Sequence, residues 1–435
     1  DFYEMFDDDA KIASQELELA LTTRDRNVED PEDRTPMCGV PYHSAEAYIQ
    51  RLLKKGYNVA ICEQTEDPKA AKGLVRRDVI RIITPGTVTE GSMLDEQRSN
   101  YLCSVCLEAE RGSVCFVDVT TGEFCAAGFS GDAAAHITNE LGRFHPVEAV
   151  LNPAAMENAE LRTFLTGKLD CAVTGDADFD YMHGAARVCE QFHAQSTDAL
   201  GLETQPGVVC AAGALLDYLV HTQKCDLSHI NSLDLFSEGR YMELDLTTRR
   251  NLELTENLRT GEKKGSLLWV LDRTKTSMGS RMLRSWVERP LLSPVAISRR
   301  LAAVREIHDD NVLRGEIRHI LSDCGDVQRL VSRAVYGTAN GRDLQSLGNS
   351  LSLLPQICEM LQNARSAELK SIASVDSLPE LCRQIAWAIC DEPPFSIREG
   401  GILRAGYSEE VDRLPLSRQF LIKNLRPEQL WERRV

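Results

Sequence analysis

The stretch YLCSVCLEAERGSVCFVDVTTGEFCAAGF, Tyr101–Phe129, decides how the chain is organised. It contains three short apolar runs in quick succession: Tyr101–Leu107, Ser113–Val119 and Glu123–Phe129. Arg111-Gly112 and Thr121-Gly122 punctuate them as turns, so the spacing predicts three antiparallel strands. A helical run (Ala133–Leu141) and a short apolar strand (Val147–Leu151) come next, and helix–strand alternation continues beyond them. Antiparallel strands leading into α/β units indicate an α/β sandwich from about Asp95 to Leu235. Inside it, Val208–Val220 carries Gly213 and Asp217 and reads as a buried helix, because a bilayer span needs about 18 apolar residues.

Toward the N-terminus the texture is mixed α/β. Ala10, Ala13, Leu17, Ala20 and Leu21 recur at helical spacing after the acidic run Asp7–Asp9, which suits a helix N-terminus. Residues 24–35 are charged, proline-bearing and non-periodic, and read as a loop. Ser44 is placed to cap a second helix whose stripe is Ala45, Tyr48, Ile49, Leu52 and Leu53, with Gly56 as its stop. Two strands, Asn58–Cys62 and Asp78–Ile83, follow, the second ending in the turn Thr84-Pro85-Gly86-Thr87.

Toward the C-terminus, beyond about Phe236, the pattern becomes nearly all helical. Met278, Met282, Leu283, Trp286 and Val287 form one stripe, which Pro290 terminates. Val312, Leu313, Ile317, Ile320 and Leu321 form a second; Val327, Leu330, Val331, Ala334 and Val335 form a third. Such helices pack against one another as a bundle or lever. The expected class is therefore multidomain, α/β plus all-α.

Bulk properties exclude several classes. A chain of 435 residues exceeds what one core usually supports. With 43% hydrophobic and 26% charged residues it is neither disordered nor collagen-like. Nothing at the start resembles a signal peptide, and the sequence does not open with Met, so a soluble, cytoplasmic segment of a larger protein is expected. The net charge of −17 argues against a surface generally coated with nucleic acid. Residues 236–310 run against that average, with 14 Lys and Arg against 11 Asp and Glu. A solvated helical face gives the same balance.

The fourteen cysteines are scattered and read as reduced thiols. Cys103 and Cys106 lie three apart on a strand and so point to opposite faces, which does not suit a zinc site. Gly261–Ser266 lacks the Lys-Ser/Thr of a phosphate-binding loop and reads as a basic surface loop. Asp176, Asp178 and Asp180 alternate, but without the glycine and distal glutamate of a calcium loop they read as a solvated turn. Asp118 ends a strand before a turn, as in two-metal nucleases, yet no partner carboxylates are evident, so a turn-forming role is the default.

The first six residues raise a sharper question. If Asp1–Phe6 is extended, Phe2 and Glu4 share a face. An aromatic ring beside a hydrogen-bonding carboxylate is suited to stack on a base and meet its edge, as minor-groove wedges do. Two phenylalanines near a helix start are more often core.

Several blocks, in order, resemble the MutS family of DNA mismatch repair proteins. They are DFYEMF (Asp1–Phe6), PMCGVPYH (Pro36–His43), AICEQ (Ala60–Gln64), RIITPGT (Arg81–Thr87), FVDVTTGEF (Phe116–Phe124), MELDLTTRRNLEL (Met242–Leu254), MGSRMLRSWVERPL (Met278–Leu291) and GGILRAGYSEEVDRL (Gly400–Leu414). The resemblance implies that Phe2 stacks on a mispaired base and that Glu4 hydrogen-bonds it. It also implies a mismatch-binding domain over 1–93, a ribonuclease H-like connector over 94–235 that is not a known nuclease, and a partial helical core or lever domain over 236–414. Residues 415–435 read as a divergent tail. Clamp and ATPase domains are expected to lie outside this chain, so ATP and Mg belong to the complete protein, and no cofactor and no catalysis are expected here. Expected partners are mismatched double-stranded DNA, a second copy in the complete protein and a MutL-type repair protein; no membrane is expected. Lys69, Lys72, Arg76 and Arg77 are candidate backbone or groove contacts, chosen as basic residues preceding a strand of the first domain; a solvated turn explains them equally well. The alternative is a MutS-like junction-binding or protein-docking module, which has no reason to present the Phe-x-Glu pair.

Overall fold

The computed structural model describes residues 2–23, 34–66, 75–236, 239, 241–394 and 400–413. Among them the chain forms a small mixed α/β unit, a three-layer α/β unit and a helical region.

In the first unit, β1 (Phe2–Phe6) runs directly into α1 (Asp7–Leu17), whose first turn holds Asp7, Asp8 and Asp9 against the positive end of the helix dipole. The helix stops at Leu17, because Glu18 turns left-handed (φ 60°). Ala20 and Leu21 are therefore not on its stripe, and Leu21 is exposed. β2 (Thr22–Thr23) and β1 flank β3 (Pro36–Pro41), both antiparallel to it. α2 (Ala45–Lys54) buries Ala45, Ile49 and Leu52 and ends before Gly56 at φ 85°. Ser44 does occupy the position before α2, but its hydroxyl donates to the Pro41 carbonyl (3.3 Å) and does not cap the helix. β4 (Val59–Gln64) and β5 (Arg77–Ile83) form a separate antiparallel hairpin.

The second unit centres on a six-stranded sheet. β6 (Leu102–Leu107), β7 (Arg111–Asp118) and β8 (Glu123–Ser130) are consecutive and antiparallel. β9 (Glu148–Leu151) and β10 (Ala172–Thr174) add in parallel beside β6, and β11 (Asp234–Leu235) adds in parallel beside β8, giving the order β10–β9–β6–β7–β8–β11. On one face lie α3 (Ala133–Phe144), α4 (Pro153–Glu157) and α5 (Ala159–Lys168), over Cys103, Val105, Val114 and Phe116. On the other lie α6 (Tyr181–Gln191) and α7 (Pro206–Gln223), over Leu102, Cys106, Cys115 and Val117. Cys103 and Cys106 thus face opposite cores, and all fourteen cysteines are free thiols. Thr121-Gly122 is a turn, with Gly122 at φ 77°. Gly112 is not: it lies inside β7, packed under α3, where a Cβ would come 2.6 Å from Ile137 Cδ1 and 3.0 Å from Ala133 Cβ.

The helical region includes α8 (Leu246–Asn251), α9 (Leu267–Leu271), α10 (Ser277–Glu288), α11 (Pro294–Asp309), α12 (Asn311–Ser322) and α13 (Val327–Val335), with further helices between Gly341 and Asp412. α10, α12 and α13 coincide with the three apolar stripes. No helix among the described residues is long and apolar enough to cross a membrane.

Polar joints connect these units. The turn Thr84–Thr87, closed by reciprocal capping of its two threonines, docks on the second unit. There the Thr84 hydroxyl (2.5 Å) and the Gly86 amide (2.8 Å) both donate to Glu148 Oε2. The segment between the first two units is held by the helical region. Arg281 donates to the Glu96 carbonyl (3.0 Å), and Arg329 donates to the carbonyls of Asp95 (3.0 Å) and Arg98 (2.8 Å).

Candidate nucleic-acid interface

Strand parity sets the geometry at Phe2 and Glu4. Tyr3 and Met5 pack into the first unit's core beside Val40, Ile49 and Ile83, so the alternation of side chains turns Phe2 and Glu4 to the other face. Phe2 is 66% exposed, which removes the reading of it as core. Glu4 sits opposite Gly39 in the register with β3. A Cβ at position 39 would lie 3.7 Å from both Phe2 Cδ1 and Glu4 Cγ, and 3.1 Å from the Tyr3 carbonyl oxygen. Glycine there keeps open the space between the ring and the carboxylate. Gly39 was legible in PMCGVPYH as an isolated glycine between apolar residues, a pattern that signals a close approach.

Tyr3 also ties this strand to the hairpin. Its hydroxyl donates to Glu63 Oε1 on β4 (2.6 Å), and its ring lies 5.3 Å from that of Tyr42. Arg76 and Arg77 are exposed where β5 begins, not on the strand that carries Phe2 and Glu4; Arg77 pairs with Gln64 in the register, next to Glu63. Arg76 faces Asp78, with Nε 3.1 Å from Oδ2. Lys69 and Lys72 lie outside the described residues.

The other candidates resolve into structural roles. Asp118 is fully buried, and its carboxylate accepts from the amides of Thr120 (2.9 Å) and Asn100 (3.1 Å) and from the Thr120 hydroxyl (2.6 Å). It closes its own turn. Asp180 caps α6 by accepting from the His183 amide (2.8 Å), and Asp178 accepts from the Asp180 amide (3.0 Å). No group of three or more His, Cys, Asp or Glu among the described residues is placed to hold a metal. The Gly261–Ser266 loop does not fit a nucleotide phosphate: Lys263 Nζ is committed to Asp272 Oδ2 (2.6 Å) and Gln97 Oε1 (2.7 Å).

Glu148 was missed, although a glutamate inside the apolar run Val147–Leu151 is itself a signal of a buried carboxylate that needs donors. It is 3% exposed and accepts from Thr84, Gly86 and the Tyr218 hydroxyl (2.5 Å). Burial pushes its pKa up, and those donors work against that rise.

The structure thus places an exposed aromatic and a carboxylate on one strand face of a small unit that docks on an α/β unit and a helical region. Comparison with known proteins shows the family. MutS domain I matches residues 1–92, MutS domain II matches 100–231 and MutS domain III matches 247–433, past the Leu414 at which the last of the resembling blocks ends. The DNA mismatch repair protein MutS of Acetivibrio thermocellus is 44% identical over 418 residues, covering 95% of this chain and 47% of that protein. Those of Ruminiclostridium cellulolyticum (43% identical, 96% of this chain, 48% of that protein) and Lachnoclostridium phytofermentans (45% identical, 95% and 44%) are similar to the same extent. The chain belongs to the MutS family. It spans about half the length of these relatives.

Proposed function

We propose that this chain recognises mismatched duplex DNA, with Phe2 as the ring that stacks on the mispaired base and Glu4 as the carboxylate that hydrogen-bonds the base edge. The observation that carries the reading is the parity of β1. Core packing of Tyr3 and Met5 leaves Phe2 exposed beside Glu4, with the Gly39 slot between them. A carboxylate near DNA is repelled by phosphates, so Glu4 is favourable only where it meets a base. A mismatch unstacks and bends at lower cost than a Watson–Crick pair, so the deformation energy is itself read.

In this proposal residues 1–93 form the mismatch-binding domain, and 94–235 form a ribonuclease H-like connector. Residues 236–414 belong to the lever. Lys69, Lys72, Arg76 and Arg77 supply backbone or groove contacts. The complete protein acts as a dimer on DNA, at the nucleoid in the cytoplasm, with ATP and Mg bound elsewhere in it and with a MutL-type protein as partner.

The test is binding of the full protein its gene encodes to labelled duplexes with and without one G·T mismatch at fixed moderate salt. Base–aromatic stacking contributes about 1–3 kcal/mol. Phe2→Ala is therefore expected to weaken mismatch binding by roughly 5- to 150-fold, with homoduplex binding and folding nearly unchanged. Equal binding of both duplexes, unchanged in the variant, refutes the wedge.

A further inference from the structure

We propose that Glu148 is a positioning residue for mismatch reading, setting the aim of the Phe2–Glu4 strand from within the neighbouring unit; this rests on the recognition reading above. Glu148 is the first residue of β9, in the interior of the second unit, yet two of its three donors come from the turn Thr84–Thr87 of the first. Its Oε1 accepts from Tyr218 on α7. The fit around this contact is close. A Cβ on Gly86 would lie 2.9 Å from Glu148 Oε2 and 2.9 Å from Leu102 Cβ, so only glycine lets the turn seat. Asn100 Nδ2 donates to the Pro85 carbonyl (3.0 Å), and Gln223 Nε2 donates to that of Thr87 (3.3 Å). Glu148, Asn100 and Gln223 thus grip one four-residue turn, and Tyr218 holds Glu148 in place.

That turn is not remote from the DNA-reading face. β5 ends at Ile83 and passes straight into Thr84; β5 pairs with β4 on both sides of a register shift at Ile61/Cys62, and Glu63 on β4 accepts the Tyr3 hydroxyl between Phe2 and Glu4. Paired strands, with one register shift in the ladder, and specific hydrogen bonds therefore connect Glu148 to the wedge strand. A buried carboxylate is an expensive way to stabilise either unit alone, because desolvation must be offset by several donors. Its cost is understandable as orientation: two directional bonds across the joint, on a carboxylate that Tyr218 holds in place, fix an angle that an apolar contact leaves free to slide.

The test compares mismatch and homoduplex affinities in the full protein for Glu148→Ala, Gly86→Ala and Glu148→Gln. The glutamine can accept both Thr84 and Gly86 on its oxygen while its amide faces Tyr218, so it is the conservative rescue. Glu148→Ala and Gly86→Ala are expected to lower the mismatch-to-homoduplex ratio at least ~5-fold, the lower end of site-to-site coupling, with homoduplex affinity and far-UV circular dichroism unchanged. Glu148→Gln is expected to keep the ratio. Should Gly86→Ala fail to fold, Thr84→Val, which removes one donor and adds no bulk, takes its place. A ratio held in the alanine variants, or both affinities falling by one common factor, overturns the positioning role. A wild-type protein with no preference removes the recognition reading, and this one with it.

Discussion

Removing Arg281 tests how strongly the helical region grips the segment between the first two units. Its guanidinium, 6% exposed, makes a two-pronged pair with Asp326 (2.6 and 2.9 Å) and donates to the Glu96 carbonyl (3.0 Å) and to Gln328 Oε1 (2.8 Å). Breaking a buried pair from one side costs about 3–5 kcal/mol, because the remaining charge is stranded. Asp326 is only partly stranded: its side chain is 18% exposed and Arg329 Nε remains 3.9 Å away. The expected loss for Arg281→Met, which keeps the apolar stem, is therefore about 2–3 kcal/mol. Asp326→Asn retains the cap that Asp326 provides to the Arg329 amide (3.3 Å) while losing the charge. The double variant should recover about 1–2 kcal/mol of coupling. Urea unfolding followed by tryptophan fluorescence isolates this region, since all four tryptophans, at 269, 286, 387 and 431, lie in the C-terminal half of the chain. A coupling energy below ~0.5 kcal/mol would refute the reasoning and mean that solvent screens the pair.

Further outcomes are expected elsewhere. α6 and α7 cross where a Cβ on Gly213 would fall 2.3 Å from Gly184 Cα; Gly213→Ala must push the paired backbones apart, and should cost about 1–3 kcal/mol, read as a lower melting temperature by circular dichroism. Asp272 should make some of the stability of the helical region pH-dependent. Burial raises its pKa, but hydrogen bonds from Lys263, Thr274 and Ser280 outweigh this and hold it well below the ordinary 3.8. A depressed carboxylate contributes stability that is present above 3.8 and lost as pH falls below it. Asp272→Asn should lower stability at neutral pH and flatten the acid limb; an unchanged acid limb in that variant refutes the assignment.

Periodicity was a good guide wherever one face of an element meets a core. Periodicity also placed α10, α12 and α13, although their stripes are half-buried or exposed, Met282, Trp286, Val312 and Val331 among them, and apolar runs placed β6, β7 and β8. It failed where the chain's exit is set by something outside the element. The apolar spacing runs on to Leu21, but α1 stops at Leu17 because Glu18 adopts a left-handed conformation. Gly112 looked like a turn because glycine commonly marks one, and instead lies inside β7 against Ala133 and Ile137 of α3. Ser44 stands at a cap position and donates to Pro41. Of the candidate site, the shared face of Phe2 and Glu4 followed from extension alone, whereas the partners of Gly39 and Glu148 lie 35 or more residues away, so a local pattern flags each residue but not what it contacts.

The sequence by itself determined the composition of the chain, its division into α/β and helical regions, and its place in the MutS family, because hydrophobic period and motif order are written along one dimension. Only the tertiary structure decided which face of β1 is outward, since that depends on what Tyr3 and Met5 pack against. It also decided that Asp118 spends its hydrogen-bonding capacity on its own turn and on the Asn100 amide, and that Glu148 holds the turn of another unit. A carboxylate looks the same in sequence whether it is solvated, structural or functional. What separates the three is how many donors converge on it once water has been excluded, and convergence is a property of the folded chain.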